Sequence, residues 1–399
     1  MTTLAAPDVS PAAPALRRAA GGTYDVIVAG VGGMGSAALW QLARRGVRAL
    51  GLERFDLGHG MGSSHGINRI IRLAYFEHPG YVPLLRRAYE LWREAETAYG
   101  EQLLFVTGSV DGGPEASRVV QGSLASCREH GLPHELLSAA EIKRRFPGYR
   151  LPPGHAGVLQ PEGGFVASER AIAAHAAMAL AAGAEIRARE PLLGCERLPG
   201  GGVRVRTPAG TYEAGRLVLS TGAWIADHAP QLRGLAVPER QVLGWFAPRR
   251  PELYALGAFP VSNVLTEHGH FYQFPQWGAP GFKIGLYHHL YEHGHADALP
   301  REPTPRDEAA LREGLRRYFP DADGPTLRLA ACLFTNTPDE HFVIDLAPGA
   351  PEVILASPCS GHGFKFASVI GEILADLATS GRPRFDLGMF SLARLAQAA

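Results

Sequence analysis

The hydrophobic pattern is sharpest between Tyr24 and Glu53. A continuous apolar run, Val26 to Ala29, predicts a strand buried on both faces. Gly30, Gly32 and Gly35 follow at G-x-G-x-x-G spacing, with Gly33 and Met34 between them. Apolar positions then recur at helical period through Met34, Ala38 and Leu42, and Gly46 stops the helix. A second apolar run, Val47 to Leu52, ends on Glu53.

Each part of this unit has a physical task. Gly30 permits a tight turn, Gly32 lets backbone N–H groups approach a pyrophosphate, and Gly35 lets the helix sit close on the strand. The helix N-terminus offers partial positive charge to phosphates. Glu53, about 20 residues on, can accept hydrogen bonds from ribose hydroxyls, which favours FAD or NAD over NADP. A glycine-rich turn without a ligand is the alternative, and it leaves the ordered strand, triplet, helix, strand and acid unexplained.

Further along, helices are predicted over Tyr81–Tyr99, Glu115–His130 and Ser168–Ala182. A capping box of Ser138 with Glu141 opens another, which ends near Phe146. Strand patterns cover Leu103–Thr107, Glu185–Ala188, Val203–Thr207, Thr211–Glu213 and Arg216–Ser220. From Val237 the character changes, with strands at Gln241–Ala247, Gly269–Phe274 and Phe282–Tyr287. Strands at Phe342–Asp345 and Val353–Ala356 and a helix over Phe366–Ala378 close the chain.

The sum is an α/β, two-domain protein. A Rossmann-like FAD-binding domain is expected from 23–80, 150–230 and 325–399, with an inserted mixed-sheet substrate domain from 81–149 and 231–324. Residues 1–22, Ala- and Pro-rich, read as a disordered tail without the apolar segment of a signal peptide.

Composition narrows the class. In 399 residues, 39 Lys and Arg balance 39 Asp and Glu, so nothing points to nucleic acid or an anionic membrane. The four cysteines, Cys127, Cys195, Cys332 and Cys359, form no C-x-x-C pair, which suits a reducing cytoplasm and argues against structural zinc.

Candidate chemistry gathers in four places. After Glu53 and Arg54, a Gly/Ser/His-rich stretch carries Ser63, His65, Arg69 and Arg72; the two arginines share a face if the segment is helical. It is either a solvated basic face or an anion and flavin site at the carboxyl ends of the strands. Lys283 lies inside the apolar run FKIGLY, where an edge-facing side chain is favoured over a buried one. The segment His288, His289, Glu292, His293, His295, Asp297 has no zinc spacing and reads as a solvated loop, so no metal is expected. Last, Gly361, Gly363 and Phe364 precede Lys365 in the first turn of a helix, where a cation is disfavoured unless an anion is its partner.

The ordered set of the glycine fingerprint, SSHGINRIIRLAY, CLFTNTPDEHFVID and SGHGFKF resembles the FAD-dependent amine oxidases that include monomeric sarcosine oxidase, N-methyltryptophan oxidase and pipecolate oxidase. The resemblance runs from about Tyr24 to Leu395. It implies FAD held through a thioether from Cys332, and a secondary amino acid, most simply an N-methyl one, whose carboxylate is held by Arg72 and Lys365. It also implies a flavin-side role for His65 and Arg69, an oxygen-reducing role for Lys283, and active-site roles for Tyr272 and for His288, with His289 as the second choice. Implied too are O₂ as acceptor, H₂O₂ and formaldehyde as products, and a monomer. Departures fall at Ser64, Ile67-Asn68, Phe334, Pro358 and Cys359; Phe334 with Trp277 favours a larger, more apolar amine than sarcosine. A same-fold dehydrogenase feeding a carrier or quinone, and a non-catalytic dinucleotide-binding protein, are the rival readings. The second gives Arg72, Lys283, Cys332 and Lys365 no common purpose.

Overall fold

The computed structural model describes residues 24–397; the predicted tail at 1–22 lies outside the described residues. The first unit forms as its pattern requires. Strand Tyr24–Ala29 is buried throughout, helix Gly33–Ala43 follows the glycine loop, and Ala49–Leu52 returns parallel to the first strand.

The glycines show why the unit needs them. Gly30 has φ +89°, and a Cβ there would stand 2.4 Å from the Ser220 carbonyl oxygen. A Cβ on Gly35 would stand 1.8 Å from the Gly30 carbonyl oxygen, so the helix can approach its own strand only without a side chain. At Gly32 the nearest neighbour would be Ser64 Oγ at 3.7 Å, which leaves open space where a ligand would lie. Gly35→Ala is therefore expected to destabilise the fold by at least about 1–3 kcal/mol in chemical denaturation. Gly32→Ala is expected to keep its stability without ligand and to lose bound dinucleotide.

Among the described residues there are two eight-stranded sheets and one small three-stranded sheet. In the first, Tyr24–Ala29 runs parallel between Ala49–Leu52 and Gly210–Leu219. One long strand, Gly210–Leu219, replaces the two short ones expected at 211–213 and 216–220. Its start pairs antiparallel with Val203–Thr207 and its end parallel with Ala350–Ser357. Helices Gly33–Ala43, Ser168–Ala181 and Ala367–Thr379 pack together in one apolar core with this sheet. Gly371 lets two of them touch, since a Cβ there would meet Ala37 backbone at 2.6 Å.

The second sheet runs Thr326–Asn336, Val237–Phe246, Phe282–Leu286, Gly269–Phe274, Val261–Thr266, Ser109–Pro114, His155–Gln160, Glu135–Ser138. An aromatic core that includes Phe246, Phe259, Phe271, Phe282 and Phe319 forms against it, covered by helix Pro305–Tyr318. Strands His155–Gln160 and Thr326–Asn336 belong to this sheet, although both fall in segments assigned from sequence to the cofactor domain. A strand's hydrophobic pattern states that it pairs, not with which sheet. No helix among the described residues is long and apolar enough to cross a membrane.

Candidate active site

A cavity of about 410 Å³ opens where the two sheets meet. Its wall takes Gly30, Gly32, Gly33, Met34, Glu53 and Arg54 from the first unit, and Ser63, Arg69 and Arg72 from the stretch that follows. The second sheet adds Tyr272 and Cys332, and the late loop adds Gly361, Gly363, Phe364 and Lys365. Most residues nominated from sequence thus converge on one surface.

The surface fits a dinucleotide. Helix Gly33–Ala43 starts after Gly32, which brings no capping side chain; Gly33 N–H donates to Ser64 Oγ at 3.4 Å, and the first turn faces the space beside Gly32. The Glu53 carboxylate is fixed in place by the Val31 and Phe55 N–H groups at 2.8 and 2.9 Å. Ser63 Oγ and Thr221 Oγ1 are buried on residues of the wall with no hydrogen-bond partner in the protein, which fits a polar ligand there. Arg54 lies against the Phe55 and Trp224 rings and pairs with Asp297 at 3.1 Å.

Arg69 and Arg72 do not share a helical face. The segment Asn68–Ile71 is a strand paired with Gly164–Ala167, and successive side chains of a strand alternate. Arg69 turns back onto the Ser63 carbonyl at 2.8 Å and the His65 carbonyl. His65 is buried but lies off the cavity wall. Burial, reinforced by Arg69, pulls its pKa down to about 4, so it is neutral.

Arg72 is almost fully buried, against Tyr75 and Phe76. Both Glu77 carboxylate oxygens accept from its Nη2, at 2.9 and 2.7 Å, and the Ala74 carbonyl accepts from Nη1 at 2.7 Å. Burial opposes its charge, but Asp111 and Glu77 outweigh burial and keep the guanidinium ionised. Lys365 donates to the His362 carbonyl at 2.6 Å and lies 5.2 Å from the Tyr75 ring. Burial, then repulsion by Arg72, lowers its pKa to about 7. His362 donates from Nε2 to the Glu340 carbonyl at 2.9 Å, so its Nδ1 accepts from the Tyr75 hydroxyl at 2.5 Å.

Lys283 is buried, which corrects the edge-facing expectation. Its strand is paired on both sides, with Val237–Phe246 and with Gly269–Phe274. The ammonium donates to the Gly66 and Asn68 carbonyls and to Asn68 Oδ1 at 2.7–2.8 Å, and lies 4.1 Å from the Phe274 ring centre. Burial, then Arg69, depresses its pKa well below the usual lysine value. Tyr272 fits beside it because Gly285, its register partner, has no Cβ; one would stand 2.2 Å from the tyrosine ring.

His288 is a correction as well. The pleat continues one residue past Phe282–Leu286, with Tyr287 N–H bonded to the His270 carbonyl at 2.9 Å. Alternation from Lys283 therefore puts Tyr287 on the cavity side, where it lines the wall, and turns His288 away. His288 bridges Glu239 at 2.9 Å and Glu340 at 3.1 Å, which raise its pKa to about 9. His289 is buried against Asp307 at 2.8 Å. Trp277 packs against the stacked rings of Phe105 and Phe165 and does not line the cavity, against the expectation that it helps size the substrate.

Sequence reading missed Glu77, Asp111, Asn263, Tyr287 and His362. Strand alternation from Lys283 was the available signal for Tyr287. Position along the chain gave none for Asp111 and Asn263, which approach Arg72 only through sheet pairing.

A glycine-loop dinucleotide unit joined to a second sheet with buried cations defines a flavoprotein oxidoreductase of the two-domain α/β type. The sequence profile described as FAD dependent oxidoreductase matches residues 25–377, and the chain belongs to this family. It is 42% identical over 392 residues to a monomeric sarcosine oxidase of Streptomyces avermitilis, covering 94% of this chain and 99% of that one. It is 34% identical over 381 residues to the N-methyl-L-tryptophan oxidase of Yersinia pestis, covering 93% and 99%. Among solved structures, NikD, described as an unusual amino acid oxidase essential for nikkomycin biosynthesis, superposes with TM-score 0.78 at 28% identity, covering 92% and 97%.

Proposed function

We propose that the protein is an FAD-dependent oxidase of secondary amines, acting on N-methyl amino acids as a cytoplasmic monomer. The products are the primary amino acid, formaldehyde and H₂O₂. The observation that carries this reading is the presence of Arg72 and Lys365 on the same wall as the glycine loop and Cys332. The relatives named for sarcosine and N-methyltryptophan support the substrate class.

The dinucleotide pyrophosphate would lie at the Gly30–Gly35 loop, the ribose at Glu53, and a thioether from Cys332 would hold the ring system. FAD so bound supplies a two-electron acceptor that O₂ can reoxidise. Arg72 and Lys365 hold the substrate carboxylate, which fixes the carbon to be oxidised against the ring. Tyr272, Tyr287 and Phe334 form aromatic walls beside it. His362 is neutral at working pH, since burial pulls its pKa to about 4, so it adds no charge against Lys365. Lys283 and Arg69 supply positive charge on the ring side.

An oxygen electrode with sarcosine or N-methyltryptophan as sole reductant is expected to show uptake matched by peroxide and formaldehyde. Reduction of added quinone without oxygen uptake would assign a dehydrogenase instead.

A pH prediction follows from Lys365. The ammonium exists below about 7 in the free site and is lost above it. Only the ammonium holds a carboxylate. The ratio of wild-type to Lys365→Met kcat/KM is therefore expected to fall as pH rises past about 7. The neutral amine that donates hydride becomes more abundant over the same range in both proteins and cancels in the ratio.

A further inference from the structure

Arg72 faces a second carboxylate besides Glu77. Asp111 lies on strand Ser109–Pro114, completely buried, with Oδ1 3.5 Å from Arg72 Nε. That Nε–H has no hydrogen-bond partner. Asn263, on the parallel neighbour Val261–Thr266, donates to Asp111 Oδ1 at 2.8 Å and lines the cavity. Ser123, on helix Arg118–His130, donates to Oδ2 at 3.3 Å. Asp111 does not itself line the cavity, so it reaches a ligand only through Arg72 and Asn263.

We propose that Asp111 is a positioning residue of the substrate site: by sharing the Arg72 guanidinium with Glu77, it sets how much positive charge the site offers a carboxylate, and substrate anions bind with uptake of a proton at Asp111. This rests on the reading that Arg72 and Lys365 hold the substrate carboxylate.

The charges around Asp111 support the coupling. Burial raises its pKa to about 6, although Arg72 and the Asn263 hydrogen bond pull the other way. Glu77 is held down at about 2 by Arg72 and its neighbours against its burial, so it is charged throughout. Cys127, Tyr149 and Tyr287 face the same region and are raised by burial, so they stay neutral. Lys365 is the other group that changes charge near neutrality, and Asp111 is the least of the influences on it. With Asp111 ionised, Arg72 and the Lys365 ammonium face two carboxylates, and an arriving third carboxylate meets no net positive charge. With Asp111 protonated, the two cations face Glu77 alone, and one positive charge is left for the ligand. The affinity for a carboxylate is therefore constant below about 6 and falls as pH rises above it.

The test uses the holoenzyme and furan-2-carboxylate, a carboxylate without a titrating amine, in calorimetry from about pH 5.5 to 8.5. Asp111→Asn keeps the acceptor for Asn263 and removes the charge. It is expected to bind the probe on the order of tenfold tighter at pH 8, the equivalent of one pKa unit, and to lack the break near 6 while keeping the one set by Lys365. At pH 6.5, titrations in two buffers of different ionisation heat are expected to show proton uptake by the wild type and less by the variant. An unchanged pH profile in the variant overturns the proposal, as does weaker binding at every pH, which would mean that Asp111 only supports Arg72 mechanically. If the variant does not fold, absence of proton uptake by the wild type overturns it. Wild-type holoenzyme that binds no carboxylate at any pH overturns the underlying reading of the site as well.

Discussion

Cys332→Ala is expected to move the yellow colour from pellet to supernatant when the purified protein is precipitated with acid. Wild-type protein is expected to keep its colour in the pellet. Cys332 sits on strand Thr326–Asn336 opposite Gln241, buried, with its residue on the cavity wall. Only a thiolate is an effective nucleophile. Burial raises the Cys332 pKa, while Arg69, Lys283, Arg301 and Arg240 all lower it. Those cations give the buried sulfur a route to its reactive form that a cysteine in a purely apolar core lacks. Cys127 is the contrast, since burial raises its thiol to about 12. The substitution removes one sulfur from a small cluster with Leu243, Trp245 and Tyr272, so the fold should persist and FAD should remain bound but extractable. Yellow supernatant from the wild type would mean that no link forms. A yellow pellet from Cys332→Ala would transfer the role to Cys359, the other cysteine on the wall among the described residues.

The parts of this fold and site that were legible in the sequence are those encoded by short spacing. The glycine triplet, the capping box at Ser138 and Glu141, and the late glycine loop each depend on residues within a few positions of one another. The first two form as read, and the late loop closes in a 3-10 turn, Phe364–Phe366, that holds Lys365 ahead of helix Ala367–Thr379. What failed was whatever depends on the partner of a strand. An apolar run with Lys283 inside it looks the same on an edge or in the middle of a sheet; pairing on both sides decides that it is buried. Arg69 and Arg72 lie three apart, which places them together on a helix and apart on the strand that forms. Asp111 and Asn263 are 152 positions apart and meet because their strands run parallel in register. Such contacts carry the charge balance of the site, so sequence identified the cations and left their counter-charges unseen.

Lys283→Met is expected to slow the reaction of reduced enzyme with O₂ on the order of 10²–10³-fold, the usual loss when one preorganised electrostatic group is removed from a buried site. Every hydrogen bond of the Lys283 ammonium goes to a neutral oxygen, on Gly66 or Asn68. The carboxylate that acts on it is Glu169, which is already committed to the Gly66 and Ile67 N–H groups and to Ser168. Burial and Arg69 depress its pKa. Its positive charge is held by dipoles rather than cancelled by a counter-ion, and it is favoured further when a negative charge forms nearby. Electron transfer to O₂ creates such a charge, concentrated on superoxide. Loss of hydride from a neutral amine instead leaves a cation on the substrate, and the charge taken up with the hydride would be spread over the acceptor ring system. The variant should accordingly be reduced by substrate under anaerobic conditions within about tenfold of the wild-type rate. Its stability is expected to fall by about 1–3 kcal/mol, because the substitution leaves the Gly66 and Asn68 carbonyls and Asn68 Oδ1 without their donor. Stopped-flow mixing of the reduced variant with oxygenated buffer gives the rate directly. An unchanged oxygen reaction would leave Lys283 as a structural tie between the strands Asn68–Ile71 and Phe282–Leu286. Equal losses in both half-reactions would mean that the lysine positions the cofactor rather than stabilising charge on oxygen.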